Sequence, residues 1–292
     1  MRSAGPKWPK TYTGVASAST RCGKNGCVSV LEIPRRQARR FAWLGALLAA
    51  AAVFFLADAA AASHTEHVVS REVKDNSRLP TSPSVYVGGM PYTAAALTGN
   101  IPLLEVHALD IEVPDLGLIN ASTTLRDITV KPSQIFSGDL QGSFVSTFSR
   151  SIQLDGVALG RLMGFDDLSL SNPEDISPGG GVSAEAELSG TPPGQEEPAT
   201  VRATLRLVKD EFYLTPVEVM DKPAGLSDEE VKDAFSYHLN TARLPLPAAA
   251  TVVRLQGGAL TFETQRRNIT LDTAQLSPLE IDGHFDNRGN QH

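Results

Sequence analysis

Few side chains in this sequence have the type and spacing that catalysis or metal binding requires. His64 and His67 stand three residues apart in a polar stretch, which could bring two imidazoles to one metal ion, but no third ligand is evident. Asp166 and Asp167 are adjacent acids at the start of an expected strand, where a solvated role comes first. His238 falls on the apolar face of an expected helix, which favours a packed core histidine over a catalytic base.

Motifs that carry enzyme chemistry are also absent from the sequence. It has no G-x-S-x-G nucleophile elbow, no Walker phosphate-binding pattern and no dinucleotide-binding glycine pattern. The acids Asp228-Glu229-Glu230 fall at the start of an expected helix, where they suit capping and the helix dipole. The sequence therefore predicts a protein that is not an enzyme and that needs no cofactor or metal.

A basic cluster followed by an apolar run gives the clearest information. Arginines crowd residues 35–40, and the run 41–62 is apolar except for Asp58. Membrane insertion keeps the basic side in the cytoplasm, so we expect a cytoplasmic segment at 1–40 and everything from about Ser63 on the outer side of the cytoplasmic membrane. The run is close to the roughly 20 residues that a span requires. Two A-x-A sites, at 57–59 and 60–62, suit signal peptidase, so an anchor and a cleaved signal both stay open.

Charge and cysteine content limit the partners of the exported part. The chain has 26 basic and 33 acidic residues, and 1–62 hold nine and two of these, which leaves a net charge of −14 on 63–292. Such a domain repels nucleic acid and has no basic patch for anionic lipid headgroups. Both cysteines, Cys22 and Cys27, precede the apolar run, so the exported part has no disulfide; its 230 residues are enough to bury a core.

The sequence of the exported part predicts strands separated by glycine and proline. We expect a linker or first helix at 63–83, a domain at 84–279 and a disordered tail at 280–292. Helices are expected at 89–99, at 156–163 after the cap Asp155, and at 227–242 after a capping box. The expected strands are 85–87, 103–113, 117–130, 134–140, 143–154, 165–170, 181–190, 199–209, 211–220, 251–256 and 259–263.

Alternation of apolar and polar residues in these strands predicts an antiparallel sheet with one wet face. Together with the few helices it indicates an α+β fold, in which a strongly curved antiparallel sheet wraps around the long helix 227–242 or closes as a barrel, behind an N-terminal transmembrane or signal helix. The inner face is then a large concavity lined by aliphatic side chains. In most proteins such a face is a packed core, and in some it is a lipid cavity.

Four segments carry a family resemblance: 89–92 running on to 97–99, 151–156, 212–216 and 244–247. Through their order and spacing the chain resembles, over roughly 66–272, the actinobacterial phospholipid-binding family implicated in lipomannan elongation and cell-envelope maintenance. Tyr92 replaces the phenylalanine usual in that family, and Thr93 stands where a large apolar residue is common. Both differences bear on the shape of the cavity mouth.

The resemblance implies an exported or membrane-tethered protein of tubular lipid-binding type that binds phospholipid, including phosphoinositides, without catalysis. Only Gly89, Pro91 and Tyr92 carry over by position, as the conformational signature of the first helix. From the residue pattern we also predict a set of lipid-binding residues. For each residue of this set, plain core packing is the alternative to lipid contact. The set is Met90, Tyr92, Leu97, Leu109, Ile111, Val113, Leu205, Leu207, Val231, Phe235 and Leu239.

Three functions follow for comparison with the structure. The leading one is a lipid carrier that shields or presents acyl chains in the cell envelope in support of lipomannan-type lipoglycan assembly. The second is a non-catalytic interaction module that docks an envelope glycosyltransferase and whose interior is only a core. The third, a lipid or glycan hydrolase, is disfavoured because no acid–base constellation is present.

Overall fold

The chain divides into two compact units, residues 1–57 and 58–292. The computed structural model describes residues 18–23, 26–31, 35–77, 79, 81–173 and 184–279. The expected tail at 280–292 and the start of the expected strand 181–190 lie outside these residues. The first unit holds an antiparallel hairpin, β1 (Ala18–Gly23) and β2 (Gly26–Leu31), and the beginning of helix α1 (Arg35–Ser77).

Helix α1 changes character along its 43 residues. Its early part is long and apolar enough to span a membrane, a property that signal sequences share, and the large apolar side chains from Trp43 to Leu56 are exposed. From Asp58 onwards one face is buried, at Asp58, Thr65, Val69 and Val73. Spacings of seven and four residues place these side chains on one side of a helix. The expected linker or first helix at 63–83 is therefore helical as far as Ser77.

Two antiparallel sheets form the second unit. The larger sheet consists of β3 (Ser84–Gly88), β4 (Asn100–Val113), β5 (Gly117–Thr129), β6 (Phe144–Leu154), β12 (Val252–Gln256) and β13 (Ala259–Thr270). The smaller consists of β7 (Ser169–Ser171), β8 (Glu185–Gly190), β9 (Ala199–Val208), β10 (Glu211–Asp221) and β11 (Tyr237–Asn240). The larger has the strand order β12-β13-β6-β5-β4-β3, and the smaller has the order β11-β10-β9-β8-β7.

Short helices connect these strands. They are α2 (Ala95–Thr98) after a 3₁₀ turn at Tyr92–Ala94, α3 (Pro132–Ser137), α4 (Gly156–Met163), α5 (Asp228–Phe235), a 3₁₀ turn at Thr241–Arg243, and α6 (Thr273–Leu276). The expected caps are confirmed: the Asp155 carboxylate accepts from the Ala158 amide at 2.8 Å, and Ser227 and Glu230 form a capping box.

A line of distortion crosses four strands of the larger sheet. Regular pairing skips Pro102 on β4, Asp127 on β5, Ser146 on β6 and Asn268 on β13, which lie side by side. Asp127 and Asn268 have φ of 53° and 55°, in the left-handed region that Asp and Asn tolerate better than most residues. Proline contributes no N–H to the ladder. We call this row the kink line.

The kink line changes which side chains face the core. On β5 the buried position after Leu125 is Ile128, and on β6 the buried position after Val145 is Phe148, so the spacing at the line is three residues instead of two. Both parts of each strand therefore keep an apolar face towards the interior although the strand bends. This local twist, with a true bulge at Asp110 on β4, produces the strong curl of the sheet.

The inner faces of the two sheets share one hydrophobic core. Phe212 on β10 meets Phe262 on β13 edge to face at 5.0 Å between ring centroids, and Phe165 packs on Phe235 of α5 at 4.7 Å. The expected α+β class and the curved antiparallel sheet are confirmed, together with an N-terminal long apolar helix. The long helix of the domain is the second half of α1 and not residues 227–242.

Several expected elements were wrong in extent or type. Residues 134–140 are not a strand, because Pro132 starts helix α3 there. The expected helix 227–242 ends at Phe235, because Tyr237–Asn240 pairs with β10 as strand β11. The expected strand 165–170 is reduced to β7, whereas the strand expected at 259–263 continues to Thr270.

The contact between the sheets gives a stability prediction. We expect Phe262→Ala to lower the free energy of unfolding by about 3–5 kcal/mol, because it removes a fully buried ring and leaves a cavity between the sheets. The measurement is urea unfolding of the detergent-solubilised full chain, followed by near-UV circular dichroism. The control Val252→Ala, on the neighbouring strand β12 and 39 % exposed, should cost under about 1 kcal/mol. Equal losses in both variants would contradict this role for Phe262.

Candidate functional site

The residues singled out for chemistry do not assemble into a reactive site. No group of three His, Cys, Asp or Glu side chains within the described ranges is placed to hold a metal ion. His64 and His67 are exposed on α1, and the Glu66 carboxylate between them accepts from the Val87 amide at 3.0 Å. The interpretation of His238 as a core histidine was wrong: it is exposed on β11, since the helix ends before it.

One member of the acid pair at 166–167 has a structural role. The Asp167 carboxylate accepts hydrogen bonds from the Thr191 amide and hydroxyl, both at 2.7 Å. These bonds hold the pKa of Asp167 below its usual value. Asp167 therefore ties the turn after β8 to the segment before β7.

A turn after β3 is held against α1. We define the Tyr92 turn as residues 89–99, which include the 3₁₀ turn and α2. The Asp58 carboxylate accepts from the amides of Tyr92 (2.9 Å) and Thr93 (2.7 Å) and from the Thr93 hydroxyl (2.6 Å). Asp58 is itself only 6 % exposed. One carboxylate thus satisfies two amides at the start of a short helix, as an N-cap side chain would.

Tyr92 lies under this turn. Its ring is buried, and its hydroxyl shares a hydrogen bond with the Thr65 hydroxyl at 2.8 Å and donates to the Ile135 carbonyl at 3.4 Å. Burial raises the pKa of Tyr92. A phenylalanine could fill the same space without these bonds. Tyr92 therefore joins the turn to α1 and α3 and makes no exposed surface.

Met90 and Leu97 of the same turn point outwards. They are 94 % and 91 % exposed, the highest values among the large apolar side chains that the structure describes. Gly89 (φ 115°) and Gly99 (φ 68°) bracket them in left-handed conformations that suit glycine. The predicted site residues of the turn are thus split between the core and the surface.

The predicted residues on β4 also differ from one another in burial. Leu109 is exposed, Ile111 is buried and Val113 is partly buried. The bulge at Asp110 separates Leu109 from the other two, because the pairing shifts by one residue between Ala108 and Ile111. Simple alternation along the sequence could not reveal that shift.

The predicted residues of the smaller sheet and α5 lie together in the interior. Val231 and Phe235 are fully buried, and Leu205 is nearly so. Leu207 and Leu239 are partly buried and both pair with Phe212, so they form a row Leu207–Phe212–Leu239 across three strands. This row is the part of the predicted set that combines an inward position with access from outside.

The sequence interpretation missed a polar row on the inner face of the larger sheet. Thr123, Arg150 and Thr264 are neighbours on β5, β6 and β13, and all three are buried. The Arg150 Nε donates to the Thr123 hydroxyl at 3.3 Å, and its Nη2 donates to the carbonyls of Ala274 and Gln275. An arginine at an inward position of an alternating strand was the available signal.

These polar groups hold the segment 271–279 across the inner face. The Thr123 hydroxyl donates to the Ser277 carbonyl at 2.9 Å, and Leu271, Leu276 and Leu279 are buried. The chain's own C-terminal segment therefore occupies this part of the concave face. Arg150 satisfies carbonyls of the last turn of α6, which a helix leaves without internal partners.

An open cleft of about 490 Å³ lies at the turn between β4 and β5. It is lined by Glu112, Val113, Pro114, Asp115, Gly117 and Arg161. Carboxylates and a guanidinium together give it a mixed, polar character. It contains one residue of the predicted set, Val113, and does not suit acyl chains.

The arrangement supports binding better than chemistry. It offers a large apolar interior between two sheets, a row of partly buried leucines at its edge and two projecting apolar side chains on a fixed turn. Comparison with known proteins agrees with this. Residues 56–265 match a family model described as LmeA-like phospholipid-binding. No curated protein and no solved structure matches the chain.

The hydrogen bonds of Asp58 can be tested directly. We expect Asp58→Ala to accelerate amide hydrogen exchange at Tyr92 and Thr93 about 10- to 100-fold, because bonds to a charged acceptor contribute about 1.5–3 kcal/mol. Exchange is followed by mass spectrometry on peptides covering 89–99. The control Asp75→Ala changes an exposed acid on the same helix and should leave these peptides unchanged. Unchanged exchange in both variants would show that Asp58 does not hold the turn.

Proposed function

The chain belongs to the LmeA-like phospholipid-binding family, and on that premise we propose that it is a membrane-anchored phospholipid-binding protein of the cell envelope. It shelters or presents phospholipid in support of lipoglycan assembly of the lipomannan type and carries out no catalytic step. The observation that carries the proposal is the family match, which covers the Tyr92 turn and most of both sheets. Phosphoinositides are one class of ligand within it.

Lipid binding fits the apolar edge of the smaller sheet. Each acyl methylene moved from water into an apolar site contributes about 0.8 kcal/mol, so a long chain binds without a charged clamp. Leu207 and Leu239 are partly buried and supply such a surface next to Phe212. We assign them direct lipid contact and assign Val231, Phe235 and Tyr92 to the supporting core. In exposure, Leu205 and Ile111 are intermediate between these two groups.

The position of Asp58 favours a retained anchor over a cleaved signal. Cleavage at either A-x-A site would remove Asp58, whose carboxylate is the hydrogen-bond acceptor of the Tyr92 and Thr93 amides. The helix that carries Thr65, Val69 and Val73 would then lack the turns that precede these residues. The arginines at 35–40 support an orientation with the N-terminal side in the cytoplasm and the domain on the outer side of the membrane.

A docking module for an envelope glycosyltransferase is the second candidate. It is favoured by the segment 271–279, which fills part of the concave face with the chain's own side chains. In that case the interior serves only as a core, and the exposed surface carries the function. Such a protein purifies without lipid and takes up none from vesicles.

Lipid binding is tested by native mass spectrometry of the detergent-purified full chain, with organic extraction of what it carries. We expect one diacyl phospholipid per chain. The double variant Leu207→Gln/Leu239→Gln should lower the bound fraction at least about fivefold, because it places amides where acyl chains pack. The control Tyr213→Gln lies on the opposite face of the same three strands, in the row Arg206–Tyr213–His238. An empty protein that stays empty after incubation with phosphatidylinositol vesicles would favour the docking module.

Anchor retention is tested by the intact mass of the mature protein. We expect the chain isolated from membranes of an expressing cell to retain residues 41–62, and to resist extraction by alkaline carbonate. A mature protein that begins between residues 58 and 63 and is recovered in the soluble fraction would identify the segment as a cleaved signal.

A further inference from the structure

Met90 and Leu97 form an exposed apolar pair that the fold of the domain does not use. Both project from the Tyr92 turn, whose other large apolar side chain, Tyr92, is buried. Such exposure on a mobile loop would carry little meaning, but this turn is fixed by three hydrogen bonds to Asp58 and by the Tyr92 hydroxyl. Two apolar side chains that a fixed turn holds in solvent carry a hydrophobic cost, which contact with an apolar partner would remove.

The chemistry of that partner follows from the residue that holds the turn. Asp58 is joined by one peptide bond to Ala57, the last residue of the apolar run before this acid interrupts it. If that stretch lies in a bilayer, Asp58 lies at the end of the hydrocarbon region, whatever direction the chain takes there. The turn is in direct contact with Asp58, so it lies within a few ångströms of the lipid headgroups.

The length of the apolar stretch supports the same surface. The part of the apolar run that precedes Asp58, residues 41–57, is 17 helical residues, or about 25 Å at 1.5 Å per residue, whereas the hydrocarbon core is about 30 Å thick. A span that is too short draws the bilayer surface towards its flanking residues. Met90 and Leu97 belong to the turn that contacts Asp58, the residue that follows these 17, and apolar side chains at that depth would replace the missing length.

We propose that the Tyr92 turn inserts Met90 and Leu97 into the outer leaflet, beside the point where the anchor leaves the bilayer. This proposal rests on the proposed function only through the retained anchor. Lys131 adds a suitable charge near the turn. It is exposed, and it follows Val130, whose amide donates to the Gly99 carbonyl at 2.9 Å. A cation at this level meets lipid phosphates. The turn thereby keeps the start of β4 at the membrane surface.

The experiment places an environment-sensitive fluorophore at each position in the full chain. Met90→Cys and Leu97→Cys are made with Cys22→Ser and Cys27→Ser, labelled with a nitrobenzoxadiazole and reconstituted into phosphatidylcholine–phosphatidylglycerol vesicles. The matched control is Leu118→Cys, 55 % exposed at the start of β5, about 40 Å of strand away from the turn. Lipids carrying a doxyl quencher near the headgroup end of the acyl chain report insertion.

We expect blue-shifted emission at positions 90 and 97 and quenching at least about threefold stronger than at position 118. Equal quenching at the three positions overturns the proposal, as does strong quenching at 118 alone. Lipid content of the same labelled proteins, measured by native mass spectrometry, separates the two conclusions. A lipid-loaded protein without insertion at 90 and 97 refutes the membrane contact only, and an empty protein with insertion refutes phospholipid binding only.

Discussion

The Asp58 carboxylate is the contact on which the arrangement of this protein depends. An acid next to an apolar membrane stretch is unfavourable unless its charge is met by hydrogen bonds. Here the Asp58 carboxylate accepts hydrogen bonds from three donors of the Tyr92 turn. The same contact fixes the turn, places Tyr92 beside Thr65 and begins the buried face of α1 that continues through Val69 and Val73. The residue that interrupts the apolar run in the sequence is therefore the first residue of the folded domain.

The kink line is the second constraint, and it decides how the larger sheet encloses a core. Four neighbouring strands bend at one level, and on β4, β5 and β6 the buried positions change phase there. Without the bend, the residues beyond it would turn their apolar side chains to solvent. Asp127 and Asn268 accept the left-handed backbone that the bend needs, and Pro102 requires no partner for an amide. The curl that suits a lipid-binding sheet thus depends on polar residues and a proline that lie within strands, near one end of each.

Prediction from the sequence succeeded where the determinants were local. Asp155 and the Ser227 capping box start helices where expected, since each satisfies amides within three residues of itself. It failed where distant strands competed for a segment. Residues 237–240 continue an apolar helical pattern, yet pair with β10 instead, which exposes His238. Pro132 was a local signal for α3 that the apolar residues after it obscured.

The sequence by itself determined the basic and apolar N-terminal segments, the acidic charge of residues 63–292, the alternating strands and the family resemblance. Composition, periodicity and motif order are properties of the chain in one dimension. Only the tertiary structure decided that a bulge leaves Leu109 exposed and Ile111 buried, and that Arg150 binds the segment 271–279. It also decided that Met90 and Leu97 project while Tyr92 is buried. These outcomes depend on contacts between residues up to about 125 positions apart, whose hydrogen bonds and packing no local pattern specifies.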